Sequence, residues 1–190
     1  VAHEIGHQFG ANHTFNAQTG SCAGGNRNLA TAVEPGSGST IMAYAGICGN
    51  NDNVQRNSDA YFHQTSIKEI TAFLLSSQNS CAVVISGTNA TPTVTTQGNK
   101  TIPHSTPFIL TANGTDANNQ NSLTYTWEQT NTNQSSTQPP VATSTTGPNY
   151  RSLAPTASSS RSFPAAATVL HGATDASGIV TSKWERTPTV

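Results

Sequence analysis

Apolar and polar residues follow different patterns in different parts of this chain, and the changes divide it. The opening stretch, Val1-Ala2-His3-Glu4-Ile5-Gly6-His7-Gln8-Phe9, is helix-like but has no N-cap and no residues before it to form a first turn, which implies sequence upstream. Gly10 follows as a candidate left-handed terminator that turns the chain toward Asn12 and His13. Residues 16 to 40 are Gly, Asn, Ser and Thr with little periodicity and read as an ordered loop. A second helix is predicted over 66–77, where Ile67, Ile70 and Leu74 recur at helical spacing with Phe73 alongside, and Ser66 with Glu69 matches a capping box.

After Cys81 to Ile85, the run Ser86-Gly87-Thr88-Asn89-Ala90-Thr91-Pro92 reads as a linker, so the domain boundary falls near residue 86. Beyond it apolar and polar residues alternate with period two in 91–96, 107–112 and 123–128, the signal of short strands. Asn113 to Asp116 and Asn118 to Asn121 supply turns, and the Thr/Asn/Ser/Gln-rich residues 129 to 147 read as a long loop. The pattern resembles an antiparallel sandwich of immunoglobulin-like or fibronectin-like type, in which Trp127 and Trp184 would pack the core. Few strands remain before Val190, so this module is expected to be incomplete. The expected fold class is therefore multidomain α+β, with one domain over 1–85 and a β-sandwich-like module over 86–190.

Composition narrows the partners. Charged residues are only 9% of the chain, against roughly 25% in ordinary globular proteins. Ser, Thr, Asn and Gly carry the polarity instead, as in extracellular β-rich modules. A net charge of -1 provides no basic field for nucleic acid and no polybasic patch for anionic lipid. No apolar run reaches the ~18 residues a membrane span needs. Cys22, Cys48 and Cys81 lack C-x-x-C spacing, which makes disulfides the better reading and leaves one cysteine over.

The candidate chemistry lies at the start of the chain. His3 and His7 are four residues apart, so on a helix both imidazoles project from one face and can reach one metal ion. Glu4 is about 100° round the helix from His3, where it can meet a water at the metal without being a ligand. His13, past the Gly10 turn, can bring a third imidazole and leave a fourth position open. Three protein ligands with an open position mark a catalytic rather than a structural zinc site. Glu4 would then act as general base toward that water and return the proton to a leaving amine. His63, flanked by Tyr61 and Phe62 ahead of the second helix, reads as a capping or packing group rather than a fourth ligand.

His3 to His13 resembles the H-E-x-x-H-x-x-G-x-x-H motif of the metzincin clan of zinc endopeptidases. Ser39-Thr40-Ile41-Met42-Ala43-Tyr44 is similar to that clan's Met-turn. The resemblance implies that Met42 forms a hydrophobic floor under the histidines and that Tyr44 aids catalysis, as ligand or oxyanion donor. With Ile41 to Gly46 and the Tyr61-Phe62-His63 entry to a last helix, residues 1 to 83 look most like bacterial reprolysin-like peptidases. Thr14 stands where the animal adamalysins carry Asp, which argues against that branch. The resemblance further implies that residues 1–85 are the lower, C-terminal subdomain of a peptidase. The upper subdomain, which pairs with extended substrate, would precede Val1. It implies a Cys22–Cys48 disulfide with Cys81 deprived of its partner, with Cys48–Cys81 the competing pairing. The expected protein is a secreted, zinc-dependent endopeptidase acting on protein or peptide substrates. The rival expectation is a non-catalytic extracellular binding or adhesion fragment that retains a zinc site.

Overall fold

The computed structural model describes residues 1–83, 85, 87–103, 106–119, 122–132, 139–140, 144–171 and 184–185. Parts of the expected linker, of the Asn118–Asn121 turn and of the 129–147 loop lie outside them. Among the described residues, three α-helices and three strands appear in the order α1 (Ala2–Gln8), α2 (Gln64–Leu74), β1 (Thr93–Thr96), β2 (Phe108–Thr115), β3 (Ser160–Phe163) and α3 (Ala166–His171). Helix and sheet are both present, as α+β requires. Among the described residues no helix is long and apolar enough to cross a membrane.

Helix α2 starts two residues earlier than the sequence pattern places it, because its N-cap is not a Ser/Glu box. His63 is the cap: its Nδ1 accepts the Thr65 N–H at 3.1 Å. The Ser66 side chain is buried without a hydrogen-bond partner, and Glu69 is engaged elsewhere. From the opposite half of the chain, a Glu128 oxygen accepts the Gln64 N–H at 2.6 Å, satisfying another free donor of the first turn.

The sheet runs β1-β2-β3 and is antiparallel throughout. The C-terminal half of β2 pairs with β1 (Thr93 opposite Thr115) and its N-terminal half pairs with β3 (Phe108 opposite Phe163). Asn113, Gly114 and Thr115 therefore lie inside a strand rather than in the expected turn. The strand expected over 123–128 is reduced to a single bridge, Tyr125 to Thr156. Trp127 departs from the ladder there, and its indole N–H donates to the Ser159 carbonyl at 3.1 Å.

Between α1 and α2 the chain is nearly all irregular, yet its residues 31 to 40 are all buried. Such a loop must hydrogen-bond its own backbone, since water cannot. It does so across the loop: the Asn16 and Ala17 N–H groups donate to the Gly36 carbonyl at 3.1 and 3.0 Å. Ser37 donates to the Asp52 carbonyl at 2.7 Å, and Tyr44 to the Ser37 carbonyl at 2.9 Å. Phe15, Ala17, Cys22 and Cys48 form a small core under it, with Tyr44 packed against them.

The β-rich half rests on this loop. Trp184, 2% exposed, lies so close to Gly36 that a Cβ there would sit 2.4 Å from the indole ring. Ser152 bonds the Tyr61 hydroxyl at 2.8 Å, and Arg151 donates to Gln55. Beside Trp184, Glu185 pairs with Arg161, whose guanidinium carbon lies 4.6 Å above the Phe163 ring.

Candidate metal centre

Helix α1 carries His3 and His7 one turn apart and stops abruptly. Gly10 adopts φ +82°. Its N–H donates to the His7 carbonyl, and the Ala11 N–H reaches back to the Gly6 carbonyl, both at 3.0 Å. This pair of bonds is the Schellman closure, which needs a residue free to take the left-handed conformation. The reversal brings His13 back toward the helix. Asn12, inside the turn, donates from its backbone and its side-chain amide to the two Glu69 oxygens of α2, at 2.9 and 2.7 Å. The Thr31 hydroxyl holds the His13 carbonyl at 2.6 Å.

Each imidazole is oriented by a backbone carbonyl. His3 Nδ1 bonds the Ile41 carbonyl at 2.7 Å, His7 Nδ1 the Ala11 carbonyl at 2.7 Å, and His13 Nδ1 the Asn26 carbonyl at 2.6 Å. A carbonyl only accepts, so every Nδ1 carries the proton and every Nε2 of a neutral ring presents a lone pair. His7 Nε2 lies 3.1 Å from both His3 Nε2 and His13 Nε2. With all Nδ1 positions protonated, no hydrogen lies between these nitrogens when the rings are neutral, and their lone pairs repel unless a cation sits among them. Zn–N bonds of about 2.0–2.1 Å at a tetrahedral centre require N–N separations of about 3.3 Å, close to what the three rings offer. The residues present therefore fit a zinc ion. Among the described residues, His3, His7 and His13 form the group whose ligand atoms all lie within 4.8 Å of one another.

Burial lowers the His13 pKa below the ordinary histidine value. The Asn26 carbonyl bond offsets this in part, His7 and His3 lower it further, and the Glu4 carboxylate raises it. The net direction favours neutral imidazole, the form a metal ligand must take.

Met42 is wholly buried. A Cβ built on Gly6 would lie 2.4 Å from the Met42 Sδ, so the thioether presses against α1 between the two helix histidines. The Tyr44 ring stands 5.4 Å from the His3 ring and 4.5 Å from the His13 ring, and stacks on Phe15 at 4.7 Å. Burial raises the Tyr44 pKa and the Glu4 charge raises it further, so its phenol stays protonated. Glu4 is exposed on α1, and its charge acts on both His13 and Tyr44. Cys22 and Cys48 are joined in a disulfide with Cα atoms 5.2 Å apart, and Cys81 is an exposed free thiol. That bridge ties the loop after His13 to the segment after Met42.

Two carboxylates that the sequence patterns did not single out for this centre support it. The sequence pattern places Glu69 in a helix cap; in the structure it clamps the His13 turn through Asn12. Glu34 lay in a loop without periodicity. One signal was available: Glu34 is the only charged residue between Arg27 and Asp52.

No curated protein and no solved structure matches the chain. Residues 1–76 match the model of the reprolysin-like metallopeptidases of family M12B, which supports a metzincin-like family for this part of the chain.

Proposed function

We propose that this protein is a secreted zinc-dependent endopeptidase in which His3, His7 and His13 hold the metal and Glu4 is the general base. The convergence of three Nε2 atoms, each ring oriented by an Nδ1 bond to a backbone carbonyl, is the observation that carries this reading. The match of residues 1–76 to a metallopeptidase family agrees with it. A zinc ion bound there would supply Lewis acidity toward a water and a peptide carbonyl. Glu4, exposed beside the ligands, takes the proton from the attacking water and returns it to the leaving amine. Tyr44, kept protonated, donates toward the negative charge that develops on the carbonyl oxygen. Met42 fills the space beneath α1 and sets how deep the helix sits. Residues 1–85 would be the lower peptidase subdomain and residues 86–190 a β-rich module that braces it. The Cys22–Cys48 disulfide supports an oxidising, extracellular setting.

The test is cleavage of a quenched fluorescent protein substrate by the chain and by Glu4→Ala, each with zinc and with chelator. Expected is chelator-sensitive turnover that falls by about 10²-fold or more in Glu4→Ala. Turnover that survives the substitution overturns the role of Glu4. Zinc binding without any turnover leaves two readings, an incomplete enzyme and a binding module, and turnover gained on adding an upper subdomain ahead of Val1 decides for the first.

A further inference from the structure

Glu34 is 1% exposed, and a carboxylate so far from water is costly unless its oxygens are fully hydrogen-bonded. Four donors meet it. Oε1 accepts the Thr14 hydroxyl at 2.7 Å and the Thr40 hydroxyl. Oε2 accepts the Ser39 N–H at 2.8 Å and the Thr40 N–H at 3.2 Å. These donors come from two separate segments: Thr14 directly follows His13, while Ser39 and Thr40 directly precede Ile41, whose carbonyl orients His3. The backbone repeats the connection, since the Glu34 N–H donates to the Thr14 carbonyl at 2.9 Å and the Thr14 N–H to the Met42 carbonyl at 3.2 Å.

We infer that Glu34 is a positioning residue for the metal centre, one carboxylate that sets the first ligand, His3, through the Ile41 carbonyl and the third, His13, through Thr14. A carboxylate suits this junction: Oε2 meets two backbone N–H groups that can only donate, and Oε1 meets two hydroxyls. An amide would have to keep its oxygen on the N–H groups, make both hydroxyls rotate to accept, and lose the charge that strengthens all four bonds, and an aliphatic side chain would leave all four donors unmet. The same bonds hold the Met42 turn beneath α1, so both sides of the centre move together if they are lost. The inference rests on the reading of His3, His7 and His13 as metal ligands and extends it to a group that never touches the ion.

The experiment is a zinc titration against a chelating dye for the full chain, Glu34→Gln, Thr14→Val and Thr40→Val. Each is paired with urea unfolding, and each is also loaded with cobalt to compare ligand-field absorption. Partners that orient metal ligands typically carry about 10–100-fold of metal affinity. The zinc Kd is expected to rise by that factor in Glu34→Gln, with an altered cobalt spectrum, and by a smaller factor in the two valine variants. The valine variants, nearly isosteric, keep the test open if Glu34→Gln does not fold. Folded variants that bind zinc as the parent chain does, with only the urea midpoint lowered, would overturn the inference and leave the metal reading standing. A parent chain that binds no zinc would overturn both.

Discussion

Replacing Gly6 by alanine sets two physical effects against each other. In a helix, alanine is favoured over glycine by about 0.8–1.0 kcal/mol, so on propensity alone Gly6→Ala should stabilise α1. The new methyl, however, would lie 2.4 Å from the Met42 Sδ and 3.2 Å from the Phe62 ring. Both separations are shorter than an ordinary carbon–sulfur or carbon–carbon contact. Met42 is fully buried and cannot swing into solvent, so either its rotamer or the helix must shift. Overpacking of this kind costs about 1–3 kcal/mol. The net expectation is a loss of about 1 kcal/mol in unfolding free energy, together with weaker zinc binding as His3 and His7 are lifted with the helix. Urea unfolding of Gly6→Ala, Met42→Ala and the double variant measures this directly. Met42→Ala alone should cost about 2–5 kcal/mol. In that background Gly6→Ala should become neutral or stabilising, a coupling of about 1–3 kcal/mol. If Gly6→Ala raises the urea midpoint of the otherwise unaltered chain, Met42 does not press on α1 and its role as the floor of the site fails.

Two further outcomes follow from the way the halves of the chain meet. Trp184→Ala should cost about 3–5 kcal/mol, because the indole is buried against Gly36 in the loop that carries the metal centre. An unfolding free energy unchanged within about 0.5 kcal/mol would show that the β-rich half does not brace the loop. Burial pushes Tyr61 up to about 12, partly offset by its Ser152 bond and reinforced by Glu34, Glu128 and Asp59. Burial likewise pushes Tyr150 up to about 12, with Glu185 adding and Arg161 subtracting. The unfolded chain gives up these protons near the ordinary value of 10.0, the folded chain only near 12. Unfolding therefore releases protons in that window, and the stability these tyrosines contribute is full below pH 10 and lost as pH rises toward 12. The urea midpoint should fall across the window, and less steeply in Tyr61→Phe; equal slopes would refute the assignment.

How much was legible in the residues themselves depends on the range of the interaction. Ile67, Ile70 and Leu74 located α2 because helical periodicity is local, but its start was misread. The cap is His63, which its place ahead of the helix had offered as a capping group, joined by Glu128 from far along the chain rather than by Ser66 and Glu69. Alternation located β1 and β2 for the same local reason. It could not say that β2 pairs with β1 through one half and β3 through the other, a choice that carried the strand through Gly114 where turn chemistry had suggested a reversal. Alternation also overcalled 123–128, since Trp127 found a better partner in the Ser159 carbonyl than in a ladder.

The candidate centre divides along the same line. The sequence by itself determined the order and spacing of His3, Glu4, His7 and His13 and the turn at Gly10, because one helical turn and one left-handed glycine are local features that direct three imidazoles toward a common point. Tertiary structure alone decided which nitrogen each ring presents, since the Ile41 and Asn26 carbonyls that fix His3 and His13 come from loops with no periodic signal. It also decided the pressure of Met42 on Gly6, the clamp of Glu69 on Asn12, and the junction at Glu34. A buried carboxylate acquires its meaning only from the donors that folding gathers around it, and here those donors arrive from segments 20 and 6 residues away.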